Sequence, residues 1–225
     1  IEICERHRLS LIEDSAQAMG AYYNGKHGGT FGASAAFSCH PLKNFNALGD
    51  GGFLITDNAE VAKKVRLYRN HGIESRDNVT MFGVNSRLDT LNAEVLKFRL
   101  EKLTSVIDRR RNNANLYRKQ IKTEFVRLPQ EKLKSGSSDA YVMFLAQVRD
   151  RDKLKKYLGE NGIETMIYYG TPLHLHKASS SFGHKKGDFP VAEKLCDHVL
   201  ALPIHQYLTK EQIIFVSESI NKFYK

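Results

Sequence analysis

Hydrophobic positions follow two rhythms along this chain, one of period two or unbroken, the other of period 3.6, and each predicts its own element. Leu9, Leu11 and Ile12 form a short apolar run ending at Glu13, suited to a buried strand with Asp14 at its C-terminal end. Residues 35–38 (Ala-Ala-Phe-Ser) and 52–56 read as two further strands. Val61, Val65 and Tyr68 then keep helical spacing, with Asp57 and Glu60 as a capping box and Gly72 as the stop. A second box, Ser86 with Asp89, opens a long helix along Leu88, Leu91, Val95 and Phe98. That helix is expected to run past Leu103, through Arg109-Arg110-Arg111, towards Ile121.

Beyond Phe125 the pattern starts afresh. Residues 140–148 read as a strand, 151–158 as a helix and 163–168 as another strand, a β-α-β module. Residues 179–187 are a polar loop, and Pro190 begins a helix at its favoured first position. Thr209 and Gln212 cap a last helix whose buried face is Ile213, Val216, Ile220 and Phe223. The chain is therefore of the α/β class, with a division expected at 122/123: residues 1–122 with the long linking helix, and a smaller domain over 123–225.

Candidate chemistry gathers in the first half. Asp14 follows one strand, Ser38 ends the next, and Lys43 lies on the irregular loop after it, held by Pro41 and the glycines at 49, 51 and 52. In open α/β sheets ligands collect outside the carboxyl ends of strands, so these residues face one crevice. An acid can keep a pyridine nitrogen charged, a hydroxyl can bind a phosphate, and a lysine can form an imine with an aldehyde. That is the equipment for pyridoxal 5'-phosphate. Singly, each has a plain alternative: Asp14 a helix N-cap, Ser38 a strand-end hydroxyl, Gln17 a surface amide, Lys43 a solvated lysine.

Glu13-Asp14-Ser15-Ala16-Gln17-Ala18-Met19-Gly20, Phe37-Ser38 through Lys43-Asn44, Gly49-Asp50-Gly51-Gly52, Arg69-Asn70-His71-Gly72 and Gly83 to Asp89 occur in that order. Together they resemble the DegT/DnrJ/EryC1/StrS family of sugar aminotransferases, over nearly the whole chain. The resemblance implies fold type I of the pyridoxal phosphate enzymes (aspartate aminotransferase-like), here the remainder of a large mixed-sheet domain plus a smaller C-terminal α/β domain. It implies that Lys43 carries the cofactor and moves protons, Asp14 pairs with the pyridine nitrogen and Gln17 contacts the ring or its phenolic oxygen. Ser38 would bind the phosphate, and Asn85 would reach the phosphate of a neighbouring subunit's cofactor in a homodimer with shared active sites. Tyr169 and His174 border the sugar site in the family; for both, a structural role stands beside a substrate contact.

The reaction so implied is transamination of a keto group on a nucleotide-linked deoxy sugar, dTDP-linked by the wording around Lys43, with glutamate as amino donor. Its product would enter a surface glycan, lipopolysaccharide or secondary metabolite. The chain departs from the family at Tyr168 and Gly170, where His and Pro are usual, and at Val142, where His is common. The family also carries an upstream segment with a phosphate-binding Gly-Thr turn and an aromatic that stacks on the ring. Only thirteen residues precede Asp14 here, so a C-terminal piece of a longer protein is expected. Lys43 argues against the family's dehydratases, which have histidine in its place. A non-catalytic remnant serving dimerisation or regulation stays open.

Composition narrows the partners. The 225 residues carry a net charge of +9, spread along helices without a recognised nucleic-acid motif, so a solvated surface comes first and attraction for a diphosphate second. No apolar run reaches the roughly 20 residues that span a bilayer. Three cysteines without metal-type pairing suit a reducing cytoplasm, and Cys39 reads as a small buried filler.

Overall fold

The computed structural model describes residues 1–130 and 136–225. The described chain divides into two compact units, Ile1–Ile107 with residues 136–140, and residues 108–130 with Tyr141–Lys225.

In the first unit, a short helix α1 (Glu2–His7) precedes strand β1 (Ile12–Asp14), hairpin strands β2 (Tyr22–Tyr23) and β3 (Lys26–His27), and strands β4 (Ser34–Ser38) and β5 (Gly52–Ile55). Helix α2 (Ala59–Tyr68), the small ribbon β6 (Ile73–Ser75) and β7 (Asn78–Val79), and helix α3 (Thr90–Leu100) follow. The central sheet is β1-β4-β5, parallel between β1 and β4 and antiparallel between β4 and β5. Its mixed character is the one the resemblance implies. One face buries Ala35 and Phe37, with Phe37 stacked on Phe53 at 4.9 Å. On the other, Ile12, Asp14, Ala36 and Leu54 lie exposed. A small core of Cys39, Phe45, Ala47 and Leu96 sits beneath the loop after β4.

Three local expectations change. The N-cap of α2 is Asn58, not Asp57, because the Asn58 side chain takes the N–H groups of both Glu60 and Val61. Helix α3 starts only after Asp89, without a side-chain cap, because residues 84–86 are first bonded in extended form: Val84 N–H donates to Tyr68 O and Ser86 N–H to Arg69 O. The long helix is also broken. It ends at Leu100 and resumes as α4 (Leu103–Gln120). Only part of its apolar stripe meets a core: Leu88 packs there, but Leu91 and Phe98 are 72% and 60% exposed, and Leu96 is the buried residue of α3.

Helix α4 belongs to both units, which part after Ile107 rather than at 122/123. The reason lies in its side chains: Ala114 and Tyr117 pack into the second core. Asn221 fastens the end of α4, donating to Gln120 O and accepting from Lys122 N–H, each at 2.9 Å.

The second unit continues with β8 (Val126–Arg127), β9 (Phe144–Val148), α5 (Arg151–Glu160), α6 (Pro190–His198), β10 (Val199–Leu202) and α7 (Lys210–Phe223). Its sheet is β10-β9-β8, antiparallel throughout. The expected β-α-β module is thus revised. Residues 163–168 form no extended strand; Met166 makes a single bridge to Ala201, so this segment runs in the direction of β9 with β10 between them. Part of the expected polar loop is helical, in a 3₁₀ turn over Lys177–Phe182. The remaining elements follow the pattern read above: Pro190 stands at the first turn of α6, and Thr209 with Gln212 forms a complete capping box on α7.

The core of this unit centres on Phe144, fully buried and stacked on Tyr117 at 5.5 Å. Arg110 is buried beside it, donating to Tyr141 O at 3.0 Å, Val142 O at 3.3 Å and Gln206 Oε1 at 3.2 Å. Burial lowers its pKa to about 10, still charged at neutral pH. Replacing Phe144 by Ala should cost about 3–5 kcal/mol in urea denaturation, whereas Val191→Ala on the exposed side of α6 should stay within about 0.5 kcal/mol.

Candidate active site

The site is assembled by one short parallel pairing. Ile12, Glu13 and Asp14 of β1 lie opposite Ser34, Ala35 and Ala36 of β4. Because side chains alternate with period two, Asp14, Ala36 and Ser38 project from the same face, the exposed one. Ser15 N–H donates to Ala36 O at 2.9 Å and carries the pairing one residue further. Asp14 Oδ1 accepts from Ala16 N–H at 3.1 Å, which turns the chain and leaves Gln17 exposed on the turn.

Glu13 points to the opposite face and does a different job. Its carboxylate accepts three backbone N–H groups, from Gly29 at 2.7 Å, Phe31 at 2.6 Å and Gly32 at 2.7 Å. Gly29 can be nothing else: its φ is +95°, and a Cβ there would lie 2.4 Å from the Phe37 ring. The loop entering β4 is thereby clamped to β1.

After β4 the chain makes a tightly bonded loop. Ser38 Oγ accepts from His40 N–H at 3.2 Å, His40 Nδ1 accepts from Leu42 N–H at 3.2 Å, and Lys43 N–H donates to His40 O at 2.8 Å. Ser38 and half-buried Lys43 are thus two ends of one hydrogen-bonded turn. Asn44 and Phe45 then enter the interior, each 7% exposed. Asn44 Nδ2 donates to Ala140 O at 2.7 Å, while its buried Oδ1 has no hydrogen-bond partner among the described residues. Cys39 is fully buried and burial pushes its thiol pKa up, as fits an inert filler.

A cavity of about 480 Å³ adjoins this region, lined by Asp50, Gly51, Gly52, Asn85, Arg87 and Asp89 among others. Gly52 is the register partner of Ser38, so the strand pairing connects the cavity to the phosphate-binding candidate. Asn85 Oδ1 accepts from Arg87 Nε at 3.0 Å. Asp14, Gln17 and Lys43 do not line this cavity; they stand on the uncovered sheet face and on the turns beside it.

Tyr169 and His174 lie in the second unit. Tyr169 is 69% exposed, with its ring edge-on to Tyr168. His174 is nearly buried: its Nε2 meets Glu193 Oε1 at 3.0 Å and its ring lies 4.7 Å from that of Phe189. Glu193 also accepts from Gly187 N–H at 2.8 Å, so His174 helps to pin the loop ahead of α6.

The DegT/DnrJ/EryC1/StrS aminotransferase family model matches residues 1–221. The chain belongs to this family. Proteins similar to it include a "pleiotropic regulatory protein" of Geobacillus stearothermophilus, 39% identical over 226 residues. Another is the dTDP-3-amino-3,6-dideoxy-alpha-D-galactopyranose transaminase of Aneurinibacillus thermoaerophilus, 38% identical over 221 residues. These alignments cover 99% and 98% of the chain and 60% of each relative. Among solved structures, S. venezuelae DesV in complex with a ketimine intermediate superposes with a TM-score of 0.94 at 34% identity, covering 100% of this chain and 60% of that one. The chain therefore spans about three fifths of the length of these relatives, and has the fold of the corresponding part of the solved structure.

Three supporting roles escape a reading of sequence alone: those of Glu13, Asn44 and Arg99, whose Nη1 donates to Asn46. The run Gly28-Gly29-Thr30-Phe31-Gly32 was the available signal for Glu13, since glycine-rich turns free N–H groups for a carboxylate. Replacing Glu13 by Gln puts an amide nitrogen against backbone donors and should cost about 1–3 kcal/mol in urea denaturation.

The His174 pair generates a pH prediction. Glu193 is held below the ordinary carboxyl pKa near 4.5, chiefly by the Gly187 N–H and also by His174. A depressed folded-state pKa stabilises the fold above that ordinary value and ceases to do so as pH falls through the folded value. Urea midpoints measured from pH 6 to pH 3 should therefore fall less steeply for Glu193→Gln than for the unsubstituted chain.

Proposed function

We propose that this chain carries the lysine, the acid and part of the phosphate site of a pyridoxal phosphate-dependent nucleotide-sugar aminotransferase. The observation that carries the reading is the β1–β4 register, which sets Asp14 and Ser38 on one uncovered face with Lys43 on the turn that follows. The donor set fits the cofactor: a carboxylate, a hydroxyl and the amine of a half-buried lysine, each on a braced turn or strand end. Bound there, pyridoxal phosphate supplies an electron sink next to the reacting carbon.

The residues then divide the work. Asp14 holds a proton on the pyridine nitrogen, and Gln17 contacts the ring. Ser38 donates its hydroxyl to the phosphate. Lys43 anchors the cofactor and, when released, is the base that takes the proton from the amino donor and returns it to the sugar carbon. Asn85, beside Arg87 in the cavity, serves the phosphate of a neighbouring subunit in a homodimer. Tyr169 is free to meet the sugar; His174 offers only its second ring nitrogen, because Glu193 engages the first.

The amino donor in this reading is glutamate and the acceptor a dTDP-linked 3-keto-6-deoxy sugar, made in the cytoplasm for a surface glycan such as lipopolysaccharide. No helix among the described residues is long and apolar enough to cross a membrane. The name of the Geobacillus relative favours a second reading, a regulatory module without turnover. One assay separates the two. The protein carrying this chain, given pyridoxal phosphate, glutamate and a dTDP- or UDP-linked keto sugar, should form an amino sugar detectable by mass spectrometry. Lys43→Ala should lower that rate by on the order of 10²–10⁴-fold, the usual worth of a positioned general base. No amino sugar with any donor would favour the regulatory reading.

A further inference from the structure

We propose that Arg99 is the positioning residue of the Lys43 loop, acting through Asn46; this rests on the reading of Lys43 as the residue that holds the cofactor. The loop leaves β4 at Ser38 and closes on itself where Ala47 N–H donates to Cys39 O at 2.8 Å. Inside that closure Asn46 Nδ2 donates to Pro41 O at 2.6 Å, a bond that spans Lys43 from one side of the loop to the other. Arg99 approaches from the last turn of α3 and addresses the same residue. Its Nη1 donates to the Asn46 carbonyl at 2.5 Å and to Asn46 Oδ1 at 2.8 Å. The helix is itself seated under the loop by Leu96, which packs with Cys39, Phe45 and Ala47.

The arrangement is a relay. A guanidinium bonded to the amide oxygen draws electron density from the amide and strengthens its N–H donor, so each bond supports the next. Without the arginine, Asn46 can rotate, the Pro41 bond is lost and the loop bearing Lys43 has one brace fewer. Arg99 bonds to Asn46 and Ala47 and not to Lys43 itself. It sets where the amine stands.

Two substitutions separate positioning from simple stabilisation. Arg99→Met keeps the apolar stem and removes the donors. Asn46→Asp keeps, and adds charge to, the acceptor for Arg99, but replaces the donor to Pro41 by an oxygen. Hydrogen exchange of peptides covering residues 39–47, measured without cofactor, should quicken by about tenfold in both variants, the effect of losing the one Asn46–Pro41 hydrogen bond, directly in Asn46→Asp and through release of Asn46 in Arg99→Met. The visible absorbance of the imine formed with pyridoxal phosphate should show cofactor binding weakened by a similar factor in both. For Asn46→Asp the melting temperature should stay that of the unsubstituted chain.

The proposal is overturned if exchange and imine formation are unchanged in both variants, or if Asn46→Asp, with its stronger Arg99 contact, behaves as the unsubstituted chain. It is also overturned if losses merely track the melting temperature. An unsubstituted chain that forms no imine at Lys43 would sink the functional reading instead, and the cofactor-free exchange would still decide whether Arg99 holds the loop.

Discussion

The carboxylate of Glu13 is the contact on which the first unit turns. β1 is three residues long, too short for its ladder to fix a register unaided. By gathering the N–H groups of Gly29, Phe31 and Gly32, Glu13 ties β1 to the loop that enters β4. The register then follows, and a slip of one residue would turn Asp14 from the open face to the closed one. Everything proposed for Asp14 and Ser38 depends on that choice. The charge that braces the sheet and the charge proposed to meet the ligand are neighbours in sequence and face opposite ways.

The second bracing system holds the loop after β4. Here too the anchoring groups are buried or turned inwards, and Lys43, the residue proposed to hold the cofactor, is left half-open. Asn44 and Phe45 fill the interior beside Lys43, Asn46 spans the loop, and Arg99 grips Asn46. A long side chain gains a defined starting point because the turn that carries it is bonded on both sides. The second unit repeats the device more modestly, with Glu193 holding His174 and the loop before α6.

Much of this was legible in the order of residues. Asp14, Ser38 and Lys43 could be placed on a strand end, a strand end and a loop because apolar runs and glycines mark those boundaries directly, and the family could be read from the same motifs. Caps were harder. Thr209 and Gln212 leave no competitor, whereas Asp57 and Asn58 stand side by side and only tertiary contacts select Asn58, whose N–H is held by Thr56. The stripe on α3 misled because helical spacing says that one side is apolar, not what covers it: Leu91 and Phe98 are exposed and Leu96 is buried. The β-α-β expectation missed β10, which arrives from some 30 residues further on and takes the place next to β9. Arg99 and Asn46 were invisible for the same reason, being partners across 53 residues.

The most direct measurement is to add pyridoxal phosphate to the protein, reduce with borohydride and map the modified peptide. The account predicts a single reduced adduct on Lys43, formed before glutamate is supplied and prevented when glutamate is supplied first. An adduct distributed over the exposed lysines, or fixed at another lysine, would contradict it.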